Sequence, residues 1–177
     1  MLIEGSKNTL NSMSEQAKSA SKNYLLKMGV QIMTEVFVKS YDGEILHLSN
    51  DHQIKSSTVI WAAGVTGNKI NGISAESLVA GNRIRVNRQS KMQGSEAIYA
   101  IGDIAFMETS LYPKGHPQLA NVAINQAKNL AKNLKRISKQ KALTDFEYKD
   151  LGSMATIGRN KAVVDLSFVK FKGYFAW

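Results

Sequence analysis

The chain has 177 residues, 44% of them hydrophobic and 21% charged, with 13 glycines and 2 prolines, a composition that excludes disordered, collagen-like and coiled-coil proteins. No apolar run approaches the roughly 18 residues that a bilayer span needs, and the absence of cysteine excludes disulfide frameworks, thiolate metal sites and cysteine nucleophiles within these residues. The formal net charge of +9 is unevenly spread: seven Lys or Arg and no Asp or Glu lie between Thr109 and Thr144, which predicts one basic face with an anionic surface as its partner.

Leu2-Ile3-Glu4 opens the chain as a short apolar stretch that would form a strand if neighbouring strands were supplied from elsewhere. From Ser14 to Met28, Ala17, Ala20, Ser21, Tyr24, Leu25 and Met28 recur at three- and four-residue spacing, and Gly29 follows where a left-handed cap belongs; this predicts an amphipathic helix. Val30 to Met33, Val36 to Ser40 and Ile45 to Leu48 are β-prone runs punctuated by Tyr41-Asp42-Gly43-Glu44, whose Asp-Gly pair predicts antiparallel strands joined by a hairpin. Thr58-Val59-Ile60-Trp61-Ala62-Ala63 is apolar throughout and predicts a strand buried on both faces, ending at Gly64, with Trp61 in core or cofactor-pocket packing. A weaker strand is expected at Arg83 to Val86. Ala97-Ile98-Tyr99-Ala100-Ile101 then repeats the buried form and runs into Gly102-Asp103.

After Gln118, the residues Ala120, Ala123, Ile124, Ala127, Leu130, Ala131 and Leu134 predict a helix with one continuous apolar stripe, and Lys128, Lys132, Lys135 and Arg136 suit its negative C-terminal end. Gly152 to Arg159 and Ala162 to Leu166 read as two strands around a tight turn. The final ten residues hold five of the 14 aromatics, interleaved with Lys170 and Lys172, which predicts an interfacial segment or the start of an amphipathic helix.

In open α/β sheets, ligands lie beyond the carboxyl ends of the parallel strands, so a buried strand that delivers Gly102 and then Asp103 predicts a cofactor edge. Gly102 admits close approach of a ligand to the backbone, and the Asp103 carboxylate accepts hydrogen bonds from sugar-like hydroxyls. The same pair fits a simple turn cap, and both readings stand at this point. His47, His52 and His116 are scattered without ligand spacing, so no metal site is expected.

Four ordered runs, Thr58 to Val65, Ile98 to Asp103, His116 to Gln126 and Met154 to Arg159, make the chain similar to type II NADH dehydrogenase, the single-subunit NADH:quinone oxidoreductase that does not pump protons. The resemblance covers essentially the whole chain. It implies an α/β flavoprotein with two dinucleotide-binding domains, FAD and NADH as cofactors, and a respiratory role at the cytoplasmic face of a bacterial membrane. Residues 1–57 would close the NADH-binding domain, residues 58–150 would return to the FAD-binding domain, and residues 151–177 would begin the membrane-associated part. Asp103 would hold the ribityl hydroxyls of FAD, with Ala63, Gly64 and Gly102 lining the flavin. The backbone amides of Ala120, Asn121 and Val122 would face its isoalloxazine carbonyl end, where a positive helix terminus favours the electron-rich reduced form.

The family's quinone-site pattern, Ala-Gln-x-Ala-x-Gln, falls on Ala120-Asn121-Val122-Ala123-Ile124-Asn125, so both glutamines are asparagine here. Asn121 and Asn125 offer the same amide donors and acceptors one methylene shorter, on one helix face, with Gln126 as a displaced alternative. His116 is expected in a loop near the quinone entrance, the roles of Arg159 and Lys161 stay open, and no residue is assigned as a catalytic acid or base. The family's two glycine-rich phosphate loops occur nowhere in the sequence. The expectation is therefore an incomplete, C-terminal half that is inactive alone, with the N-terminal half, a membrane quinone and anionic lipid as partners, a homodimer allowed and no nucleic acid. The rival readings are a disulfide or ferredoxin reductase of the same architecture, and a non-catalytic basic module that binds membrane or nucleic acid.

Overall fold

A computed structural model describes all 177 residues. In chain order the elements are β1 (Leu2–Glu4), α1 (Glu15–Lys27), β2 (Ile32–Thr34), β3 (Val38–Tyr41), β4 (Ile45–Leu48), β5 (Gln53–Lys55), β6 (Leu78–Val79), β7 (Arg83–Val86), β8 (Ala105–Met107), α2 (Ala120–Ile137), β9 (Ser153–Thr156), β10 (Ala162–Asp165) and β11 (Lys170–Gly173). They form two compact units, one of residues 1–61 with 150–177 and the other of residues 62–149. The C-terminal stretch, read from sequence as a region of its own, thus belongs with the N-terminal unit.

In the first unit β1 and β2 pair in parallel, with Leu2 opposite Ile32 and Glu4 opposite Thr34. The partner that Leu2-Ile3-Glu4 needs is therefore inside the chain, and the run at Val30 to Met33 is a parallel strand where an antiparallel one was expected. The connection between them is α1, as a parallel pair requires. Ser14 is its N-cap, with the hydroxyl accepting the Ala17 N–H. Ser14 also donates its N–H and hydroxyl to the Asp165 carboxylate at 2.6 and 2.7 Å, which ties the start of α1 to the end of β10. Burial acts to raise the Asp165 pKa, but these two bonds and nearby Lys170 outweigh it and hold the carboxyl below its ordinary value. Ala17 and Ala20 of α1 pack with Met13, Ile157 and Val163 in one small core.

The expected hairpin is present. β3, β4 and β5 form an antiparallel meander, and Asp42 Oδ1 accepts the N–H groups of Glu44 and Ile45 to close the first turn. Alternation puts Leu46 and Leu48 inside against Val36. The strand pair at the C-terminus is also present as β9 and β10, but a third strand, β11, joins them where an interfacial segment or helix was expected. The aromatics beyond and around it stay exposed, Phe175 at 95%.

In the second unit β6, β7 and β8 form one sheet, antiparallel between β6 and β7 and parallel between β7 and β8. Its core joins Ile84, Val86, Ala105 and Met107 to Val122 of α2 and to Phe146 and Tyr148. Both runs read as strands buried on two faces differ from that expectation. Thr58 to Ala63 forms no ladder, and Ile60 and Trp61 are 88% and 67% exposed. Ala97 to Ile101 makes only an isolated bridge, Tyr99 to Lys91, with Ala100 buried and Ile98 exposed. A buried strand needs a neighbour paired with its edge and packed layers over its faces, and no strand of the chain forms a ladder with either run. No helix is long and apolar enough to cross a membrane.

Candidate functional site

All of the residues expected to form a site lie in the second unit, and the structure joins most of them through one turn and one helix end. Gly102 begins a single 3-10 turn, Gly102–Ile104, that leads into β8. Its φ of +71° lies in the left-handed region, and a Cβ there would sit 3.3 Å from that of Ala123. A side chain is therefore disfavoured by the backbone and would crowd α2. The Gly102 N–H donates to Gln126 Oε1 at 2.7 Å, so the first turns of α2 are fastened to the Gly-Asp turn.

Gln126 is 1% exposed and its acceptor is committed to Gly102, so it positions the turn and is not available as the displaced quinone ligand. Substitution by leucine, similar in volume, leaves a half-buried N–H without its acceptor and is expected to cost about 1–3 kcal/mol. Urea unfolding measures this. A loss under about 0.5 kcal/mol, within the range of ordinary surface substitutions, would show that the bond does not hold the turn.

Asp103 follows with its carboxylate exposed and free of hydrogen bonds, while its carbonyl accepts from Gln118 Nε2 at 3.2 Å. The nearby Arg83 guanidinium feels the Asp103 charge and donates through Nη2 to the carbonyls of Ala105 and His116. Beyond Gln118, α2 starts at Ala120 with Leu119 as N-cap, which has no side chain to satisfy the first amides. The N–H groups of Ala120, Asn121 and Val122 are thus left as donors at the positive end of the helix dipole. Asn121 and Asn125 are both exposed on one face, as their spacing requires, and Asn125 Nδ2 donates back to the Asn121 carbonyl at 2.8 Å. Ala63 and Gly64 lie exposed in the preceding loop, and no hydrogen bond joins them to the Gly102 turn.

α2 turns a different face inward from the one its apolar pattern predicts. Val122, Gln126 and Asn133 are buried, whereas Ile124, Leu134 and Ile137 are exposed beside Lys128, Lys132 and Lys135. His116 lies in a loop, as expected, but its side chain is turned into the interior. It is 1% exposed, edge-on to Tyr112 and Phe146, with Nε2 3.5 Å from Glu147 Oε1 and Nδ1 without a partner. Glu147 in turn accepts the Thr109 hydroxyl at 2.8 Å and pairs with Arg88.

Burial pushes the His116 pKa below its ordinary value despite the opposing effect of Glu147. The unfolded chain therefore binds this proton at higher pH than the folded one. The stability due to neutral His116 is complete above the unfolded value near 6.5 and is lost as pH falls below it. In His116→Gln, the decline in unfolding free energy between about pH 7 and pH 5 is expected to flatten. An unchanged slope in urea titrations would mean that other groups set it.

Residues 1–127 match the pyridine nucleotide-disulphide oxidoreductase family. The chain belongs to that family. It is 30% identical over 164 residues to the type II NADH:quinone oxidoreductase of Staphylococcus haemolyticus, an alignment that takes in 91% of this chain and 40% of that protein. The chain therefore spans about 40% of the length of this curated relative. Among solved structures, NDH2 from Plasmodium falciparum in complex with NADH superposes with a TM-score of 0.84 at 16% identity, over 97% of this chain and 50% of that one. The sulfide:quinone oxidoreductase of Aquifex aeolicus gives 0.72 at 14% identity, over 99% and 46%. The α/β flavoprotein fold expected from the ordered motifs is thus the fold observed.

Proposed function

We propose that this family member is part of an NADH:quinone oxidoreductase that uses FAD, and that its second unit contributes the flavin edge and the quinone-facing helix. The observation that carries the reading is the Gly102 turn locked to α2 through Gln126, which leaves an exposed carboxylate and unpartnered amides at neighbouring positions. These residues fit a flavin. Gly102 presents backbone with no side chain, Asp103 would accept hydrogen bonds from the ribityl hydroxyls, and the amides of Ala120 to Val122 would favour negative charge at the isoalloxazine carbonyls. FAD, when bound, supplies hydride acceptance from NADH and two-electron delivery to a quinone. The chain's own task is to position and polarise, and Asn121 and Asn125, exposed on one face of α2, would orient the quinone.

The parallel pair β1 and β2 of the first unit would belong to the NADH-binding domain, and the exposed Thr58 to Ala63 run would pair with strands of the N-terminal half. Lys128, Lys132 and Lys135, set beside exposed Ile124, Leu134 and Ile137, fit a peripheral contact with anionic lipid. The test is expression of the complete reading frame that contains these residues, with bound flavin and NADH-dependent reduction of a short-chain quinone as readouts. The product is expected to carry FAD, and Asp103→Ala to retain about tenfold less of it, the loss of one good charge-assisted hydrogen bond. A complete product that holds no flavin would overturn the reading.

A further inference from the structure

The first unit contains a cavity of about 180 Å³ that no step above uses. It lies past the carboxyl end of β1, where Glu15, Lys18, Ser19 and Lys22 of α1, Thr34 of β2 and Lys7 line it. Spacing of three, four and seven residues places the four α1 side chains on one helix face.

The charges are not balanced within this ring. Glu15 is bound to Lys18 Nζ at 2.8 Å, and that bond and charge, with Lys7 further off, hold the Glu15 pKa below its ordinary value. The Lys18 side chain is only 15% exposed, so its stem forms part of the wall. Lys7 and Lys22 have no ion-pair or hydrogen-bond partner, and the hydroxyls of Ser19 and Thr34 are likewise unengaged. Glu4, the acid at the end of β1, is not among the cavity walls, and its Oε1 accepts the Ser6 N–H. Two free ammonium groups with neutral hydroxyl donors around a small cavity match a dianion with several acceptor oxygens. A single carboxylate would satisfy one of the two charges, and a neutral sugar neither.

We propose that this cavity binds a phosphate monoester or inorganic phosphate through Lys7 and Lys22, with Ser19 and Thr34 as hydroxyl donors. The proposal goes beyond the electron-transfer reading and does not depend on it, since flavin enters none of the readouts. The experiment is an amide ¹H–¹⁵N titration of the 177-residue chain with inorganic phosphate, adenosine 2′-monophosphate and adenosine 5′-monophosphate at constant ionic strength, with chloride as control.

Saturable shifts confined to residues 7–9, 18–22 and 34 are expected. Lys7→Gln and Lys22→Gln, at exposed positions, should each weaken binding about fivefold, as expected for loss of one solvent-facing charge contact. Tighter binding of a nucleotide than of phosphate identifies a nucleotide phosphate as the occupant, and equal binding identifies free phosphate; both support the site. Chloride that reproduces the shifts, an absence of saturation, or a Lys7→Gln/Lys22→Gln double variant that binds like the parent would overturn it.

Discussion

Alanine at Gly152 is expected to lower the unfolding free energy by about 3–5 kcal/mol, combining the cost of a left-handed conformation with that of steric overlap. The φ of Gly152 is +106°, and a Cβ built there would overlap the Asp165 carbonyl oxygen and lie 2.8 Å from Leu166 Cα. Both obstacles are backbone, so no rotamer change relieves them. Relief requires β9 to move away from β10, where Ser153 is registered opposite Asp165. That same Asp165 clamps the N-cap of α1 through Ser14, so the displacement would loosen the helix as well as the sheet. Gly29→Ala separates the two contributions. Its φ is +79° but nothing lies within 4 Å of a new Cβ, so it should cost only about 1–2 kcal/mol. Equal losses for the two variants in urea unfolding would show that the overlap at Gly152 is absorbed without moving β9.

The sequence made local features legible and left long-range ones hidden. Gly29 as a stop and the Asp42-Gly43 turn are decided within a few residues, and both are seen. Strand partners are decided elsewhere. The apolar character of Thr58 to Ala63 and Ala97 to Ile101 was plain, but whether an apolar run becomes a buried strand depends on which edges are offered to it. The turn at Gly102 and Asp103 was legible as a candidate site because glycine followed by a carboxylate after a β-prone run is a local pattern. The fastening by Gln126 was not, since a glutamine 24 residues away carries no signal of its partner. Arg83, which supports the Ala105 and His116 carbonyls, and the His116–Glu147 contact are hidden for the same reason. α2 misled most, because alanines, isoleucine and leucines at helical spacing resemble a core stripe while asparagines resemble a wet face.

Asn133 shows why that face is inverted, and its replacement by alanine is expected to cost about 2–4 kcal/mol, mostly by leaving backbone groups of residue 144 unpaired. Asn133 is 1% exposed on α2. Its Oδ1 accepts the Thr144 N–H at 2.9 Å and the Thr144 hydroxyl at 3.1 Å, while its Nδ2 donates to the Thr144 carbonyl at 2.9 Å. One amide side chain thus does for an extended segment what a neighbouring strand would do, and Asn129 adds a bond to the same hydroxyl. Two residues on, the Phe146 N–H donates to the Arg88 carbonyl at 2.7 Å, and Phe146 and Tyr148 enter the core beside Val122. A segment without regular structure is thereby held between α2 and the end of β7. It carries Glu147 to His116, three residues before the N-cap of the helix that we propose faces the flavin and quinone. Asn133→Ala should therefore weaken protection of the Thr144 and Phe146 amides in hydrogen exchange as well as global stability. Asn133→Asp, which keeps the acceptor and loses the donor, should retain part of the Thr144 protection. A variant in which alanine and aspartate behave alike would show that packing at residue 133, and not the paired amide, holds the segment in place.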